Sequence, residues 1–317
     1  MRSLLKWGWG TLLIFSVLLA GCAAVDGQHS VAHSRVKTQK MIRLDRKKAA
    51  AARKKTQAKK TKTRRRTHQA GYATPTLFMH GFGGNAGSTN NLIDSAQADG
   101  YATRTLLATV TPNGHVNWSG TWPKGTRHPE IQIVFRDNRN RNYHQDARWL
   151  KRIIKQLHRR YGITTFNYVG HSMGNTDIMM YETLFGQRKR LPQLQKYVAI
   201  APPMLGNIVM NPWSVHTTNA ANGRPSHFSP TFRQLVDHRR NIPNNQLQVL
   251  SIYGDLGDGA NTDGTISVAS ARSLKFLLAN RAKSFKEIEL TGQDAAHGAL
   301  PRRNPEVVQD METFLWG

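Results

Sequence analysis

The segment Gly170-His171-Ser172-Met173-Gly174 limits the possible folds of this chain more than any other. It follows an apolar, strand-like stretch and precedes a helix-like stretch, 176–185. In such a G-x-S-x-G pattern the serine occupies a tight turn between a strand and a helix, and the small flanking residues relieve crowding there. The turn projects the serine Oγ above the strand end. The pattern therefore predicts a sheet strand that leads into a helix through Ser172, with the next N–H, that of Met173, beside the serine.

Strand-like and helix-like stretches alternate from Thr74 onward. The strand-like stretches are 76–79, 102–110, 131–135, 165–169, 197–201, 247–253 and 285–290. The helix-like stretches are 88–98, 146–161, 176–185, 269–280 and 305–316. This alternation predicts an α/β fold: a mostly parallel, doubly wound sheet with helices on both faces.

Two stretches, 114–129 and 206–245, lack the periodicity of apolar residues that indicates a helix or a strand. The first contains two tryptophans and two prolines and is expected to be irregular. The second is rich in Asn, Pro and His. Forty residues without periodicity inside a domain favour an active-site cover or an excursion over a core element. The alternative is a long surface loop without a role in substrate binding.

A second glycine-rich segment, His80-Gly81-Phe82-Gly83-Gly84, follows the first strand-like stretch. Glycines let a backbone approach a ligand closely and adopt positive φ. The main-chain N–H groups of Phe82 and Met173 are expected to donate to a developing oxyanion, an effect of about 3–4 kcal/mol per donor in comparable sites. In chains with a G-x-S-x-G turn, the histidine that acts as the base follows the serine in the sequence. His80 precedes Ser172, so we expect it to order this loop and not to act as the base.

His297 is the candidate for the base that activates Ser172. It follows the last strand-like stretch and a short loop, and it precedes the final helix-like stretch. His216, His227 and His238 also follow Ser172, but they lie in the aperiodic stretch. Other histidines, such as His115, His128 and His144, lack ligand-like spacing and are expected at the surface.

The acid that orients the base should lie between Ser172 and His297, beyond the stretch 247–253. Three aspartates compete for that role: Asp255, Asp258 and Asp263. Asp263 is favoured because it directly precedes a helix-starting segment, which resembles the D-G-x-V-x-x-x-S-A segment of many lipases. Asp255 and Asp258 remain alternatives that would otherwise shape the glycine-rich loop.

These segments together resemble the α/β-hydrolase superfamily and, within it, the Gram-positive cell-surface hydrolases grouped as DUF915. The resemblance runs from about Thr74 to Trp316. It is based on the two glycine-rich segments, on Val134-Phe135-Arg136-Asp137-Asn138, on the Asp263 segment, and on Ala296-His297 with Asn304-Pro305-Glu306-Val307. Departures are Asn175, where many relatives have another glycine, and Thr265, often apolar in relatives. Neither is a proposed catalytic side chain. The resemblance implies the fold and the triad and indicates little about the substrate.

The expected activity is that of a serine hydrolase of the esterase or lipase type, in which Ser172, His297 and Asp263 act through an acyl-enzyme. No metal or organic cofactor is expected to take part. An acyltransferase with the same triad is an alternative that the sequence does not separate from a hydrolase. A non-catalytic surface-binding protein on a hydrolase scaffold is a rival of another class, since fold alone does not imply function.

The N-terminus is typical of a targeting segment, 1–22. Arg2 and Lys6 precede a 13-residue apolar stretch, 7–19, which is short for a membrane span and suits a signal peptide. The stretch ends in Leu19-Ala20-Gly21-Cys22, which resembles the lipobox of bacterial lipoproteins, and Cys22 is the only cysteine in the chain. We expect lipidation at Cys22 and an extracytoplasmic, membrane-anchored protein. A plain secretory signal and a retained signal anchor are the alternatives.

Residues 23–70 form a polybasic segment between that leader and the expected hydrolase domain, 71–317. They contain 16 Lys and Arg but only 2 Asp, and almost no large apolar residues. Such a segment cannot bury enough apolar area to offset its chain entropy, so we expect a disordered tether with transient helix around its alanines. Its expected partner is anionic membrane lipid or wall polymer. Nucleic acid is not favoured, because no aromatic residue is interleaved for base stacking.

We expect Cys22→Ala to release the protein from the membrane. One acyl chain alone anchors weakly, whereas a diacylglyceryl group beside a polybasic segment holds firmly, so loss of the lipid removes one of the two signals that stable anchoring needs. The measurement is cell fractionation with immunoblotting of the mature protein. Unchanged size and unchanged membrane retention of the variant would contradict lipidation at this cysteine.

Overall fold

The structure is a computed structural model that describes residue 44 and residues 47–57 and 72–317. Residues 47–57 form a helix, α1, whose side chains are all exposed, within the stretch for which the sequence predicts disorder with transient helix. The predicted signal peptide, Cys22 and the rest of the predicted tether lie outside the described residues. Within the described part of the chain, no helix combines the length and apolarity that crossing a membrane requires.

The described domain is built on one eight-stranded sheet. Its strands are β1 (Thr76–Met79), β2 (Thr103–Val110), β3 (Val116–Gly120), β4 (Pro129–Phe135), β5 (Thr165–His171), β6 (Gln193–Ile200), β7 (Gln248–Asp255) and β8 (Ser284–Thr291). The strand order is β3-β2-β4-β1-β5-β6-β7-β8. Only β3 is antiparallel to its neighbour, β2. The predicted mostly parallel α/β sheet is confirmed.

The helices cover both faces of this sheet. They are α2 (Asn90–Ala98), α3 (Tyr143–Tyr161), α4 (Met173–Phe185), α5 (Pro230–His238), α6 (Val268–Leu278), α7 (Leu300–Arg303) and α8 (Pro305–Trp316). Short 3₁₀ helices span Ala86–Ser88, Pro212–His216, Arg239–Asn241 and Gln293–Ala295. Buried side chains of α3, α4, α5 and α6 form one core cluster with one face of the sheet, and those of α2, α7 and α8 form a second cluster with the other face.

Two local predictions are wrong. Within the stretch predicted to be irregular, Val116–Gly120 forms the edge strand β3. Only Val116 of this strand is buried. The sequence therefore lacks the alternation of apolar and polar residues by which a strand is recognised. Within 206–245, Ser229 caps α5 by accepting a hydrogen bond from the N–H of Phe232, and Phe232 and Leu235 are buried in the core. This stretch therefore does contribute a core element, signalled by Ser229 followed by proline at a helix start.

The parallel sheet brings distant segments to one edge. β1 lies between β4 and β5, and β7 lies between β6 and β8. Because parallel strands end at the same edge, the loops after β1, β5, β7 and β8 all start there. In open α/β sheets this carboxyl edge is where ligands bind. The edge carries the 80–84 segment, Ser172, the three aspartates and His297.

A pair of buried carboxyl groups joins α3 to α4. Asp146 of α3 and Asp177 of α4 are fully buried and face each other. Burial raises the pKa of Asp146 to about 7, and burial together with the neighbouring Asp146 raises the pKa of Asp177 well above its usual range. Asn140 Nδ2 donates to Asp146 Oδ1 at 2.7 Å. Two carboxyl groups so placed hydrogen-bond only while a proton is present between them.

We expect Asp177→Asn to make stability less dependent on pH. The folded pair holds protons that the unfolded chain releases, so its stabilising effect is present at low pH and is lost as pH rises from about 4 through about 7. An asparagine cannot ionise, so the variant does not lose this stability as pH rises. Between pH 5 and pH 8, its free energy of unfolding should therefore rise by roughly 1–3 kcal/mol relative to that of the wild type. Melting temperatures from circular dichroism at both pH values provide the measurement.

The matched control for this experiment is Asp237→Asn, at an exposed position of α5. Its melting temperature should follow that of the wild type at both pH values. A gap between wild type and Asp177→Asn that stays constant with pH would contradict the shared proton.

Candidate active site

Ser172 occupies a strained turn between β5 and α4. Its backbone angles are φ 52° and ψ −125°, and it is the residue that precedes the first turn of α4. A non-glycine residue in such a conformation costs on the order of 1–3 kcal/mol and persists only where its surroundings hold it. Two main-chain hydrogen bonds do so: the Ser172 N–H donates to Ile200 O at 2.9 Å, and the Asn175 N–H donates to Ser172 O at 2.9 Å.

The small residues around this turn are required by close backbone packing. A Cβ on Gly174 would lie 2.9 Å from the carbonyl oxygen of His80, and a Cβ on Gly81 would lie 2.8 Å from Ser172 Cβ. Such distances are shorter than van der Waals contact between these atoms. The loop after β1 therefore packs directly against the serine turn only because both positions are glycine.

A continuous hydrogen-bond chain runs from Ser172 through His297 to Asp263. Ser172 Oγ lies 3.0 Å from His297 Nε2, and His297 Nδ1 lies 2.8 Å from Asp263 Oδ2. Asp263 Oδ1 accepts from the N–H groups of Thr265 at 2.9 Å and Ile266 at 2.7 Å. The Asp263 side chain is 1% exposed and that of His297 is 15% exposed. The imidazole is thus held in one orientation and one tautomer by a fixed, buried carboxylate.

The main chain of His297 is fixed from both sides. Its N–H donates to Asp263 O at 2.9 Å, and its carbonyl oxygen accepts from His171 Nε2 at 3.1 Å. The two imidazole rings lie 4.7 Å apart. Burial, and after it the charge of His297, lowers the pKa of His171 well below its usual range. A neutral His171 places no second positive charge beside an imidazolium at His297.

Two main-chain donors are free at the cavity that contains Ser172. Within the described part of the chain, the N–H groups of Phe82 and Met173 make no hydrogen bond, and both residues line this cavity. Phe82 belongs to the loop that packs on the serine turn, and Met173 begins α4. Free N–H groups so placed are the type of donor that stabilises an oxyanion during acyl transfer.

The loop after β1 is held in place by Asn138 and His80. The Gly83 N–H donates to Asn138 O at 2.7 Å, and Asn138 Nδ2 donates to Gly84 O at 2.8 Å. His80 is buried; its Nδ1 donates to Gly81 O at 2.7 Å and its Nε2 accepts from the Phe135 N–H at 3.1 Å. Burial lowers the pKa of His80, in agreement with a neutral ring. The expectation that His80 orders this loop is confirmed.

The cavity above Ser172 has a volume of about 500 Å³. Its apolar lining includes Met173, Met204 and Ile266, and Arg141 and Tyr143 contribute polar groups. Part of the aperiodic stretch, including Gly206, Asn207, Met210, Asn211 and Ser229, forms one wall. Two apolar lining residues are open to solvent: Phe82 and Met210 are 45% and 54% exposed.

Other residues singled out from the sequence lie elsewhere. Asp255 Oδ1 accepts from the Gly257 N–H and Asp258 Oδ1 accepts from the Ala260 N–H, so both carboxylates order the loop after β7. His227 lines a neighbouring cavity, and His238 Nδ1 donates to Gln234 O within α5. Within residues 44, 47–57 and 72–317, no three His, Cys, Asp or Glu side chains are grouped as metal ligands.

Sequence reasoning missed residues that position the site. Asn175 is buried; its Nδ2 donates to Ile200 O and its Oδ1 accepts from the Tyr197 hydroxyl, both at 2.9 Å, which ties the start of α4 to β6. In the sequence, Asn175 stands out only as a departure from the pattern of relatives. The only sequence feature that could have pointed to a positioning role for His171 is its place within the G-x-S-x-G segment.

Comparison with known proteins agrees with this architecture. The sheet, the helices on both faces and the placement of Ser172 after β5 are those of an α/β hydrolase. A family model described as "Alpha/beta hydrolase of unknown function (DUF915)" matches residues 62–317, and the chain belongs to this family.

Two solved structures are similar to this one. The product of the gene lin2722 from Listeria innocua gives a TM-score of 0.70 at 26% identity, over 77% of this chain and 94% of that chain. A protein of Lactobacillus plantarum WCFS1, provisionally described as a cell surface hydrolase, gives a TM-score of 0.59 at 23% identity, over 76% and 91% of the two chains. The second comparison shows the fold alone. No curated protein sequence matches the chain.

We expect Asp263→Asn to lower kcat on a soluble ester by about 10⁴-fold, because the amide leaves the imidazole in the wrong tautomer. Asp255→Asn and Asp258→Asn are matched controls, since their carboxylates bond only to loop N–H groups, and each should retain turnover within about threefold of wild type. The measurement is steady-state kinetics, with folding checked by circular dichroism. Near wild-type turnover of Asp263→Asn, with collapse of either control, would overturn the choice of acid.

Proposed function

We propose that this protein is a serine hydrolase that cleaves carboxylic esters through an acyl-enzyme. The observation that carries this proposal is the chain of hydrogen bonds from Ser172 through His297 to Asp263, at the base of a cavity that also contains two free main-chain N–H groups. A nucleophile, a base, an orienting acid and oxyanion donors are the complete set that acyl transfer requires.

In the proposed reaction, Ser172 Oγ attacks the acyl carbon while His297 Nε2 takes the hydroxyl proton. Asp263 stabilises the imidazolium without becoming protonated itself. The negative charge on the former carbonyl oxygen is met by the N–H groups of Phe82 and Met173. His297 then gives its proton to the alcohol oxygen, and the alcohol leaves. Water, activated by the same imidazole, releases the acid and restores Ser172.

The cavity favours esters with a modest acyl group. Its volume of about 500 Å³ is at the lower end of the range of small-molecule sites, and its lining is partly apolar. Met210, an exposed apolar residue of the cavity wall, belongs to the stretch 206–245, for which the sequence favours an active-site cover. We propose that Met210 contacts the acyl side of the substrate.

We also infer that the protein acts outside the cytoplasm, anchored to the membrane through a lipid on Cys22. The lipobox-like sequence at the end of a short apolar stretch supports this location. The polybasic stretch 23–70 is then placed to meet anionic membrane lipid or wall polymer.

We expect Ser172→Ala to lower kcat on soluble acyl esters by a factor on the order of 10⁴–10⁶, while the protein still folds. Ser284→Ala, at an exposed serine at the start of β8, is the matched control and should retain full activity. The measurement is a panel of p-nitrophenyl esters of increasing chain length, with labelling by a fluorophosphonate probe.

Labelling of the wild type and of Ser284→Ala, but not of Ser172→Ala, is the expected pattern. A wild type that neither reacts with the probe nor hydrolyses any ester of the panel would support the non-catalytic binding protein instead. Parallel product analysis with an added alcohol or sugar acceptor distinguishes hydrolysis from acyl transfer.

A further inference from the structure

A second cavity adjoins the one that contains Ser172. It has a volume of about 910 Å³, and the two cavities meet at Asn211 and Pro230, which line both. We call it the arginine cleft. Its main side chains are Trp213, Arg224, His227, Phe228 and Arg233. A molecule bound at Ser172 and longer than the first cavity would extend past Asn211 into this cleft.

The arginine cleft is suited to an anion. Arg224 and Arg233 are exposed, and no aspartate or glutamate lines the cleft. Among the described residues, no carboxylate lies within salt-bridge distance of either guanidinium. Arg233 Cζ lies 5.3 Å from the ring centroid of Phe228, and Arg224 Cζ lies 6.0 Å from that of Phe276. A guanidinium held over a ring keeps its planar fork of donors available for a phosphate or carboxylate.

The same cleft also offers ring faces. Trp213 and His227 have ring centroids 6.2 Å apart and are inclined at 53°, so they are not stacked on each other. Phe228 is fixed by edge contacts with Phe232 at 5.1 Å and Phe276 at 5.9 Å. Side chains of this kind supply large apolar contact area at a small loss of conformational entropy.

Asn211 and Asn219 line the cleft, and their amide oxygens can accept hydrogen bonds from hydroxyl groups. Asn211 Nδ2 donates to Leu205 O at 2.6 Å, and Asn219 Nδ2 donates to Gly223 O at 3.0 Å. These bonds fix both amides, and no described residue donates a hydrogen bond to either Oδ1. An aromatic acid would bind the arginines through its carboxylate and the aromatic side chains through its ring, but it would not donate to these amide oxygens. A ring that carries hydroxyl groups as well as an anion matches all three features.

We propose that the arginine cleft binds an anionic sugar, which is the alcohol portion of the ester cleaved at Ser172. This inference rests on the proposed esterase function. Ser172 Oγ forms the bond to the acyl carbon, the bond from that carbon to the sugar oxygen breaks, and His297 returns its proton to this oxygen. Water then cleaves the acyl-enzyme to the free acid. The products are one carboxylic acid and one anionic sugar, with one water consumed.

The kinetic test compares acetylated glucose 6-phosphate, neutral acetylated glucose and p-nitrophenyl acetate as substrates of the full chain. The wild type should prefer the phosphate-bearing sugar ester by about tenfold in kcat/KM, the effect of one bidentate anion contact. In Arg224→Gln/Arg233→Gln the preference should disappear through a higher KM, with p-nitrophenyl acetate turned over within about twofold of wild type.

The matched control is Arg127→Gln/Arg159→Gln, which removes the same charge at two exposed positions outside both cavities. It should retain the preference for the phosphate ester. This result would distinguish binding in the cleft from a general attraction of anionic substrates to a basic protein. A control that loses the preference as fully as the cleft variant would overturn the proposal. A wild type that cleaves p-nitrophenyl acetate but shows no preference between the sugar esters would also overturn it, while leaving the esterase function intact.

A binding measurement tests the cleft without turnover. Glucose 6-phosphate, benzoate and inorganic phosphate are titrated into the full chain carrying Ser172→Ala, with and without Arg224→Gln/Arg233→Gln. Binding of the sugar phosphate that exceeds both other ligands, and that the arginine changes remove, supports the cleft even if no ester is hydrolysed. Equal or tighter binding of benzoate or of inorganic phosphate excludes a sugar as the occupant.

Discussion

The strained turn at Ser172 is the constraint on which the rest of the site depends. A serine at φ 52° is stable only if its neighbours satisfy its backbone and leave no room for relaxation. Ile200 at the end of β6 accepts from its N–H, Asn175 of α4 donates to its carbonyl oxygen, and Gly81 lets the loop after β1 close upon it. Three separate segments therefore meet at this residue, so the strain is supported by the packing of the whole sheet edge.

The site combines a rigid buried half with an open half. Asp263, His171 and His80 are buried and hold the orientation of the imidazole and of the glycine-rich loop. On the other side, Phe82 and Met210 are exposed, and the stretch after β6 provides a wall of the cavity. Rigid elements that fix the reacting groups, with variable loops above them, are the usual division in α/β proteins.

Charge is placed according to the same division. Between α3 and α4, Asp146 and Asp177 are buried without a basic partner among the described residues, so burial favours their protonated form. Around the cavity mouth, Arg141 and the exposed arginines of the arginine cleft remain in solvent, where a guanidinium stays charged. The domain therefore presents positive charge where a substrate would arrive and keeps this pair of carboxyl groups out of water.

The sequence by itself determined seven of the eight strands, five of the described helices and the serine turn, because period-2 and period-3.6 patterns and a tight glycine-flanked turn are local properties of the chain. Asp263, Asp255 and Asp258 are all close to the end of β7, and local sequence ranked them only by analogy. The tertiary structure distinguished their surroundings, because β7 and β8 pair in parallel and bring His297 Nδ1 to 2.8 Å from Asp263 Oδ2. The edge strand β3, the core role of Phe232 and the positioning role of Asn175 were likewise decided by tertiary packing, since each depends on partners far away in the sequence.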